Sequence, residues 1–320
     1  MHTNTAPSLL SSAIHPQPKR KMSRMARQEE LTGWLMAGPW IIGLILWTVG
    51  PFLAAGYLAF TDYDILSRAN FVGFDNFERM LFADPLFWTA LKVTSIYAVI
   101  SIPLQMALGL FLAILLNMRI RGLTLLRTIY YLPAVLSGVA VSLLWIWVFS
   151  ADWGIINFVL SLFGIVGPSW LSSEKWALPA LITMSLWGVG SGLIIYLAGL
   201  QGVPTELYEA AEIDGAGRWP KFWQITLPMI SPVLLFQLII GIIGALHVFT
   251  EGYVMTQGGP NNATLFFLLY LWRNAFQFLK MGYASALAWA IFIYIMALTL
   301  LVLRSSAAWV FYIGEIKGRS

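Results

Sequence analysis

The sequence is poor in charged residues and contains no cysteine. Of its 320 residues, 11% are charged and 59% are hydrophobic, and the mean hydropathy is +0.75. A soluble domain carries about 25% charged residues, so a large soluble enzyme could not cover its surface with this composition. The lack of cysteine excludes disulfides, thiolate catalysis and thiolate metal sites. The composition therefore indicates a polytopic membrane protein.

Histidine is scarce as well. His2, His15 and His247 lie far apart and show no metal-ligand spacing. The net charge of +4 does not indicate nucleic-acid binding, because the basic residues lie mostly at the ends of hydrophobic runs. We expect neither a metal site nor a nucleic-acid partner.

Stretches without charge mark the membrane spans. Six windows without Asp, Glu, Lys or Arg can each hold the roughly 20 apolar residues that cross a bilayer as a helix. The sequence therefore predicts an all-α integral membrane protein with six transmembrane helices, near residues 34–60, 90–116, 127–149, 176–200, 229–250 and 284–304.

Two further uncharged windows are not predicted to span. The apolar core of residues 152–174 is interrupted by Gly164, which favours an interfacial or re-entrant helix. The window 252–272 is broken by the turn sequence TQGGPNNAT, which leaves an apolar piece too short to cross.

The distribution of Lys and Arg predicts the orientation. Thirteen of the 19 lie before the first span, between the second and third, between the fourth and fifth, or after the sixth. Because positive charge accumulates on the cytoplasmic side, both termini are expected in the cytoplasm.

One transmembrane domain between two tails is the simplest domain organisation. Residues 1–30 are polar and are expected to form a disordered cytoplasmic tail, not a cleavable signal. Residues 31–304 would form the transmembrane domain, in which residues 201–228 are a cytoplasmic loop. Residues 305–320 would be a cytoplasmic C-terminal tail.

The cytoplasmic loop contains the polar segment EAAEIDGAGRWPKFWQITLP, residues 209–228. A first short helix is expected after Pro204, with Thr205 as its N-cap, and Gly215 is expected to end it in a left-handed conformation. Glutamates follow at i, i+3 and i+6 near the N-terminus, where the helix dipole favours negative charge. They are Glu206, Glu209 and Glu212.

A second short helix is expected to begin near Trp219-Pro220 and to stop before Pro228. The result would be a helix–turn–helix elbow. Composition alone leaves open whether this elbow is a solvated connection or a docking surface.

The motif of this loop resembles that of a known family. Its pattern is Glu-Ala-Ala, three residues, Gly, nine residues, Ile-x-Leu-Pro, and it is similar to the EAA signature of the permease subunits of binding-protein-dependent ABC importers. Every position is matched, by Glu209, Ala210, Ala211, Gly215, Ile225, Leu227 and Pro228.

Other segments resemble the sugar branch of that family, the maltose- and glycerol-phosphate-type permeases. They are FTDYD, NFVGFDNFERM, YYLP, TQGGPNNAT and MGYASALA. The likeness covers residues 33–304 and implies the type I ABC importer permease fold, six spans with cytoplasmic coupling helices. The chain lacks the extra N-terminal spans and large external domain of the longest maltose-type permeases.

The resemblance implies that the loop is the coupling helix, which docks in a groove on a cytoplasmic ATPase subunit. Glu209 would pair with a basic residue there, Ala210 and Ala211 would permit close approach, and Gly215 would make the turn. The resemblance places Asp214, Ile225, Leu227 and Pro228 in the same expected coupling site.

The chain itself has no phosphate-binding loop of the form Gly-x-x-x-x-Gly-Lys-Ser/Thr. We therefore expect no cofactor in it and no enzymatic activity. ATP and Mg would be bound by two partner ATPase subunits.

Other implied partners are a second, related permease chain, a solute-binding protein on the external side, and membrane lipid. The external loop TQGGPNNAT would face the binding protein, although a plain loop bend is the alternative. The residues of this prediction are Gly258, Gly259, Pro260 and Asn261.

The substrate path is expected on spans four and five, which flank the coupling loop. The glycines of SLWGVGSG could open span four, with Trp187 stacking on a sugar, or could simply permit helix packing. His247 and Glu251, at i and i+4, would share a helix face, in the path or at the outer interface. The candidate residues are Trp187, Gly188, Ser191, Gly244, Ala245, His247, Val248 and Glu251.

The prediction is thus a permease subunit that translocates a sugar or oligosaccharide by alternating access. Glycerol phosphate, a polyol or a peptide is the alternative substrate. A membrane-embedded transferase would need converging acids, bases or a metal, and a secondary transporter would show inverted repeats or buried charges. The sequence contains neither signature.

Overall fold

The computed structural model describes residues 23–118 and 122–311, and it divides the chain into two compact units, up to Ala54 and from Ala55 onward. Within the described ranges the chain is helical, with one isolated β-bridge between Thr61 and Phe71. The predicted all-α class is confirmed. Residues 1–22 and 312–320, most of the two predicted tails, lie outside the described residues, as do Arg119 and Arg121.

The helices follow one another along the chain. They are α1 (Arg24–Leu58), α2 (Pro85–Asn117), α3 (Leu123–Val135), α4 (Gly138–Val148), α5 (Ile155–Leu162), α6 (Ala177–Trp187), α7 (Gly190–Gln201), α8 (Thr205–Ile213), α9 (Arg218–Met229), α10 (Ser231–Leu246), α11 (Phe267–Trp272) and α12 (Met281–Ser306). Shorter helical turns are Asp75–Glu78, Arg79–Ala83, Gly252–Thr256 and Arg273–Gln277.

Three helices, α1, α2 and α12, are long and apolar enough to cross a membrane. Three bent pairs pass the same test together: α3 with α4, α6 with α7, and α9 with α10. Counting each pair as one span gives the six spans that the charge pattern predicts.

The first helix begins earlier than expected. It starts at Arg24, not near residue 34, so residues 24–30 are helical rather than part of a disordered tail. Ser23 caps it, because its hydroxyl accepts a hydrogen bond from the Ala26 amide at 3.2 Å. In the first unit the side chains are mostly exposed and none is buried.

The third predicted span, 127–149, is not one straight helix. It breaks between α3 and α4, whose axes meet at 101°. Pro133 lies in the last turn of α3 and lacks the amide proton of a regular helix residue, and the backbone turns extended at Leu136 and Ser137.

The other two pairs break at glycine or proline. Span four bends by 50° at Gly188 and Val189, as expected if the glycines of SLWGVGSG open the helix. In the third pair α10 begins at Ser231, and α9, which precedes it, meets it at 65°. Pro232 at the start of α10 has no amide proton to continue the preceding helix.

The second unit is held by two groups of buried side chains. One joins the first half of α2 to α6, α11, α12 and the end of α10, and includes Phe266, Phe267 and Leu287. The other joins the second half of α2 to α7 and to the start of span five, and includes Tyr196 and Ile230. The second group lies beside the polar loop, so that loop packs directly on two spans.

The two uncharged windows that were not predicted to span contain short helices. The first forms α5, followed by Gly164 at φ +71°. The second forms α11, which is buried against α2, where the Thr94 hydroxyl accepts a hydrogen bond from the Phe267 amide at 2.8 Å.

Candidate functional site

The polar loop folds as the predicted elbow, with α8 and α9 as its arms. Gly215 follows α8 at φ +77°, where nothing lies within 4 Å of an added Cβ, so the backbone conformation rather than space requires glycine. The amide of Ala216 donates to the carbonyl of Ala211 at 2.8 Å, and the amide of Gly215 donates to the carbonyl of Glu212 at 3.0 Å. These two bonds form the Schellman turn that satisfies the carbonyl groups at the end of a helix.

Two side-chain contacts brace the arms. Lys221 on α9 pairs with Glu212 on α8 at 2.6 Å, and the Tyr208 and Thr226 hydroxyls lie 2.9 Å apart. The hydrogen bond and the positive charge of Lys221 lower the pKa of the Glu212 carboxyl. The elbow is thus a defined hairpin, and we call residues 204–229 the coupling hairpin.

The details of its ends differ from the prediction. Pro204 is the N-cap, and Thr205 is the first helical residue and makes no capping bond. α9 begins at Arg218 and runs through Pro228 to Met229, because a π-helical turn, Phe222–Thr226, lies just before the proline. A wider turn of this kind shifts the hydrogen-bond pattern where Pro228 lacks an amide proton.

The predicted coupling residues divide into an exposed and a packed group. Glu209, Ala210, Asp214 and Gly215 are exposed and Ala211 is half-buried. The Glu209 carboxylate has no hydrogen-bond partner among the described residues, and Ile213 beside it is 88% exposed. Ile225 and Leu227 pack on the buried group around Tyr196 and Ile230. The hairpin therefore presents its tip outward and rests on the spans through its base.

A cavity of about 360 Å³ lies where span four bends. Its wall comes from α2, α6, α7 and α10, and from the ends of α3 and α4. Seven of the eight residues proposed for a substrate path lie in this wall: Trp187, Gly188, Ser191, Gly244, Ala245, Val248 and Glu251. A volume of this size is within the range of small-molecule sites, about 300–1,000 Å³.

His247 is the exception. α10 ends at Leu246, and the chain is not helical again until Thr250, so His247 and Glu251 do not share a helix face. The imidazole Nδ1 lies 2.7 Å from the Ile243 carbonyl oxygen, and the side chain does not line the cavity. The i, i+4 argument was wrong here because it assumed an unbroken helix.

Several polar residues of the cavity were missed by the sequence analysis. The Gln105 amide on α2 donates to the Ser185 hydroxyl at 2.9 Å, and the Gln237 amide on α10 donates to the Gly192 carbonyl at 3.0 Å. Tyr97 and Tyr196 also contribute to the wall. Each glutamine stands within an otherwise uncharged, apolar window, and that isolation was the available signal.

The cavity wall has hydrogen-bonding groups and little charge. Among the described residues, Glu251 is the only charged side chain in it, and no Lys, Arg or His contributes. The indole of Trp187 packs edge-on against that of Trp145, with ring centroids 6.1 Å apart. Amides, hydroxyls and an aromatic face are suited to an uncharged polyhydroxylated ligand.

The loop TQGGPNNAT is a compact turn. The hydroxyls of Thr256 and Thr264 lie 2.7 Å apart, and Arg273 donates to the Gln257 carbonyl at 2.6 Å. Of its predicted binding residues, Asn261 is exposed, Gly259 and Pro260 are half-buried and Gly258 is buried. The loop is therefore held in one shape, with Asn261 at its surface.

Known proteins are similar in sequence to most of the chain. The family described as "Binding-protein-dependent transport system inner membrane component" matches residues 105–310. The chain is 39% identical to "Probable ABC transporter permease protein YesP" of Bacillus subtilis, over 91% of this chain and 96% of that protein. It is 36% identical to "Lactose transport system permease protein LacF" of Rhizobium radiobacter, over 87% of this chain and 95% of that protein.

A solved structure resembles this chain in three dimensions. It is the crystal structure of a bacterial alginate ABC transporter in complex with an alginate pentasaccharide-bound periplasmic protein. A chain of that structure matches with a TM-score of 0.76 and 26% identity, over 87% of this chain and 95% of that one. The resemblance and the fold predicted from the EAA motif are therefore confirmed.

Proposed function

Because the chain belongs to the binding-protein-dependent transport system inner membrane component family, we propose that it is the permease subunit of an ATP-driven importer for a sugar or oligosaccharide. Its role is transport across the membrane by alternating access. The chemistry of ATP hydrolysis belongs to separate ATPase subunits, which bind ATP and Mg.

The observation that carries this proposal is the cavity at the bend of span four. Gln105, Ser185 and Gln237 place amide and hydroxyl groups there, which suits the hydroxyl groups of a sugar. Trp187 supplies an aromatic face. The relative LacF is by name a lactose permease, and the alginate transporter is crystallised with a pentasaccharide-bound periplasmic protein, which supports the substrate class.

The charge of the cavity favours a neutral sugar over a phosphorylated solute. A phosphate group would be stabilised by Lys or Arg, and among the described residues the wall contains neither. Glu251 would repel an anion further.

The coupling hairpin supplies the route by which ATP drives the spans. Its exposed tip, with Glu209 and Ile213, would dock on an ATPase subunit on the cytoplasmic side. Its base packs against α2 and α7 through the buried group that includes Tyr196 and Ile230. Since α9 leads through Ile230 directly into α10, a shift of the hairpin would move α7 and α10, which both line the cavity.

The orientation and the remaining partners are part of the same proposal. Both termini and the hairpin would lie in the cytoplasm, and the loop with Gly258, Gly259, Pro260 and Asn261 would face a solute-binding protein. A second permease chain, related but not identical, would complete the path.

The experiment is uptake into proteoliposomes that contain the full transporter, with its solute-binding protein added. Neutral oligosaccharides, acidic oligosaccharides and glycerol phosphate are offered with and without internal ATP. We expect ATP-dependent uptake of a neutral sugar. Gln237→Ala should lower uptake about tenfold, the effect of about 1.4 kcal/mol from one lost hydrogen bond, whereas the exposed control Gln277→Ala should not.

Two results would contradict the proposal. Uptake driven by an ion gradient without ATP would make the chain a secondary transporter. ATP-driven uptake that prefers glycerol phosphate to every sugar would retain the importer but overturn the substrate class.

A further inference from the structure

The short helix α5 exposes its apolar side. Ile155, Phe158, Val159 and Leu162 follow the spacing i, i+3, i+4 and i+7, and their side chains are between 46% and 68% exposed. The opposite side, with the half-buried Asn157, faces the protein. A helix that faces water shows the reverse arrangement, with its polar stripe outward.

The exposed apolar surface continues on both sides of α5. Trp153 is 91% exposed and Val166 is 97% exposed, and Phe163 is exposed between them. No Asp, Glu, Lys or Arg occurs between Asp152 and Glu174. A surface that binds a soluble protein has a polar rim, and this one has no charged residue within it.

The segment is fixed to the ends of two spans. The Asn157 amide donates to the carbonyls of Ala151 and Pro168 at 3.0 and 3.2 Å, and its oxygen accepts from the Trp170 indole at 2.7 Å. Trp170 in turn packs on Phe149, which follows α4, and on Trp176, which precedes α6. Residues 151–168 therefore form one closed hairpin beside the adjoining ends of α4 and α6.

We propose that this hairpin binds the lipid bilayer, with α5 lying in the plane of the boundary between headgroups and acyl chains. Three observations identify lipid as the partner: the outward apolar stripe, the absence of charged residues between Asp152 and Glu174, and the attachment to the ends of α4 and α6. Trp153 and the exposed Trp147 in the last turn of α4 are of the type that anchors proteins at this depth.

The absence of native cysteine makes a direct test possible. Single cysteines at Phe158, Val166 and Ile156 carry a nitroxide in the full-length chain, purified with its co-purifying subunits and reconstituted in phosphatidylethanolamine–phosphatidylglycerol vesicles. Oxygen concentrates in lipid. We therefore expect it to raise the spin relaxation rate of the labels at Phe158→Cys and Val166→Cys several-fold more than a water-soluble nickel complex does. Ile156→Cys, on the packed side, should be shielded from both, and Arg68→Cys in a charged loop should favour nickel.

Two outcomes would overturn the proposal. Preference for nickel at positions 158 and 166 would place the stripe in water, and shielding from both reagents would place it against a protein. If a substituted hairpin does not fold, the native chain supplies the readout. Phospholipids brominated near the acyl carbonyl should quench its tryptophan fluorescence, and Trp153→Phe should reduce that quenching. Equal quenching of the Trp153→Phe variant and the unsubstituted chain would refute lipid contact.

Discussion

Two glutamates one helical turn apart on α8 have different surroundings. Glu212 is paired with Lys221 across the coupling hairpin, whereas Glu209 is exposed and has no partner among the described residues. The EAA motif names Glu209 but says nothing of Glu212. The structure thus separates a glutamate that braces the hairpin from one that is available to another subunit.

This difference predicts different results for two isosteric substitutions. Glu212→Gln should speed hydrogen exchange of the hairpin amides, including that of Ala216, because the contact with Lys221 loses the charge of the carboxylate. Glu209→Gln should leave exchange unchanged but reduce co-purification of the ATPase subunits. Hydrogen-exchange mass spectrometry and the subunit ratio measure the two effects, and the opposite assignment would contradict the model.

The brace should also respond to acid. Lys221 lowers the pKa of Glu212 below its ordinary value of 4.5, so the folded hairpin holds the proton less tightly than the unfolded chain. The contribution is therefore present above pH 4.5 and is lost as the pH falls through the lowered pKa. At that acid limit, the wild-type hairpin should exchange as fast as Glu212→Gln.

At the scale of elements, the number and position of the spans could be predicted from the sequence. The geometry of the helix breaks within some of those spans could not. Absence of charge over about 20 residues is a local signal, and it located the three long apolar helices and the three bent pairs that give six spans when each pair is counted as one. Pro133 is a local signal for a break near the end of α3, but the 101° angle between α3 and α4 is not contained in that signal. The same holds for Gln105 and Ser185, which meet across 80 positions of sequence to form one cavity wall.

Packing of α7 against α3 depends on Gly190. A Cβ at this position would lie 1.9 Å from the carbonyl oxygen of Tyr130, whereas a Cβ at Gly188 would lie 3.6 Å from its nearest neighbour, the Ser185 carbonyl. Backbone cannot yield as a flexible side chain does. The two helices must therefore separate if residue 190 carries a side chain.

We predict that Gly190→Ala lowers stability by about 1–3 kcal/mol, the cost typical of overpacking, and that Gly188→Ala changes it by less than about 0.5 kcal/mol. The measurement is the apparent thermal unfolding midpoint of the purified chain in detergent. Equal midpoints for the two variants would show that α3 and α7 are not in close contact.

At the scale of the whole molecule, Asp84 joins parts of the chain that are far apart in sequence. Its Oδ1 caps α2 by accepting from the amides of Leu86 and Phe87 at 3.0 and 3.3 Å. Its Oδ2 accepts from the hydroxyls of Tyr270 and Tyr283, which are 186 and 199 residues away. One carboxylate thus connects the start of α2 to α11 and α12.

Replacing this carboxylate should destabilise the second unit. Asp84→Ala removes a helix cap and leaves two hydroxyls without an acceptor, so we expect a loss of about 2–4 kcal/mol. Asp84→Asn keeps one oxygen acceptor and should lose less, and the exposed control Asp75→Ala should be nearly neutral. The unfolding midpoint and the exchange rates of the Leu86 and Phe87 amides report the change.

The pH dependence of this connection has a definite sign. Burial, together with the hydrogen bond to Asp84, raises the pKa of Tyr270 from its ordinary value of 10.0 to about 12, so the folded state keeps a proton that the unfolded chain loses first. Its contribution is therefore complete below pH 10 and is lost as the pH rises towards 12. Tyr270→Phe should remove this alkaline loss, and a variant that still showed it in full would refute the role of Tyr270 as donor to Asp84.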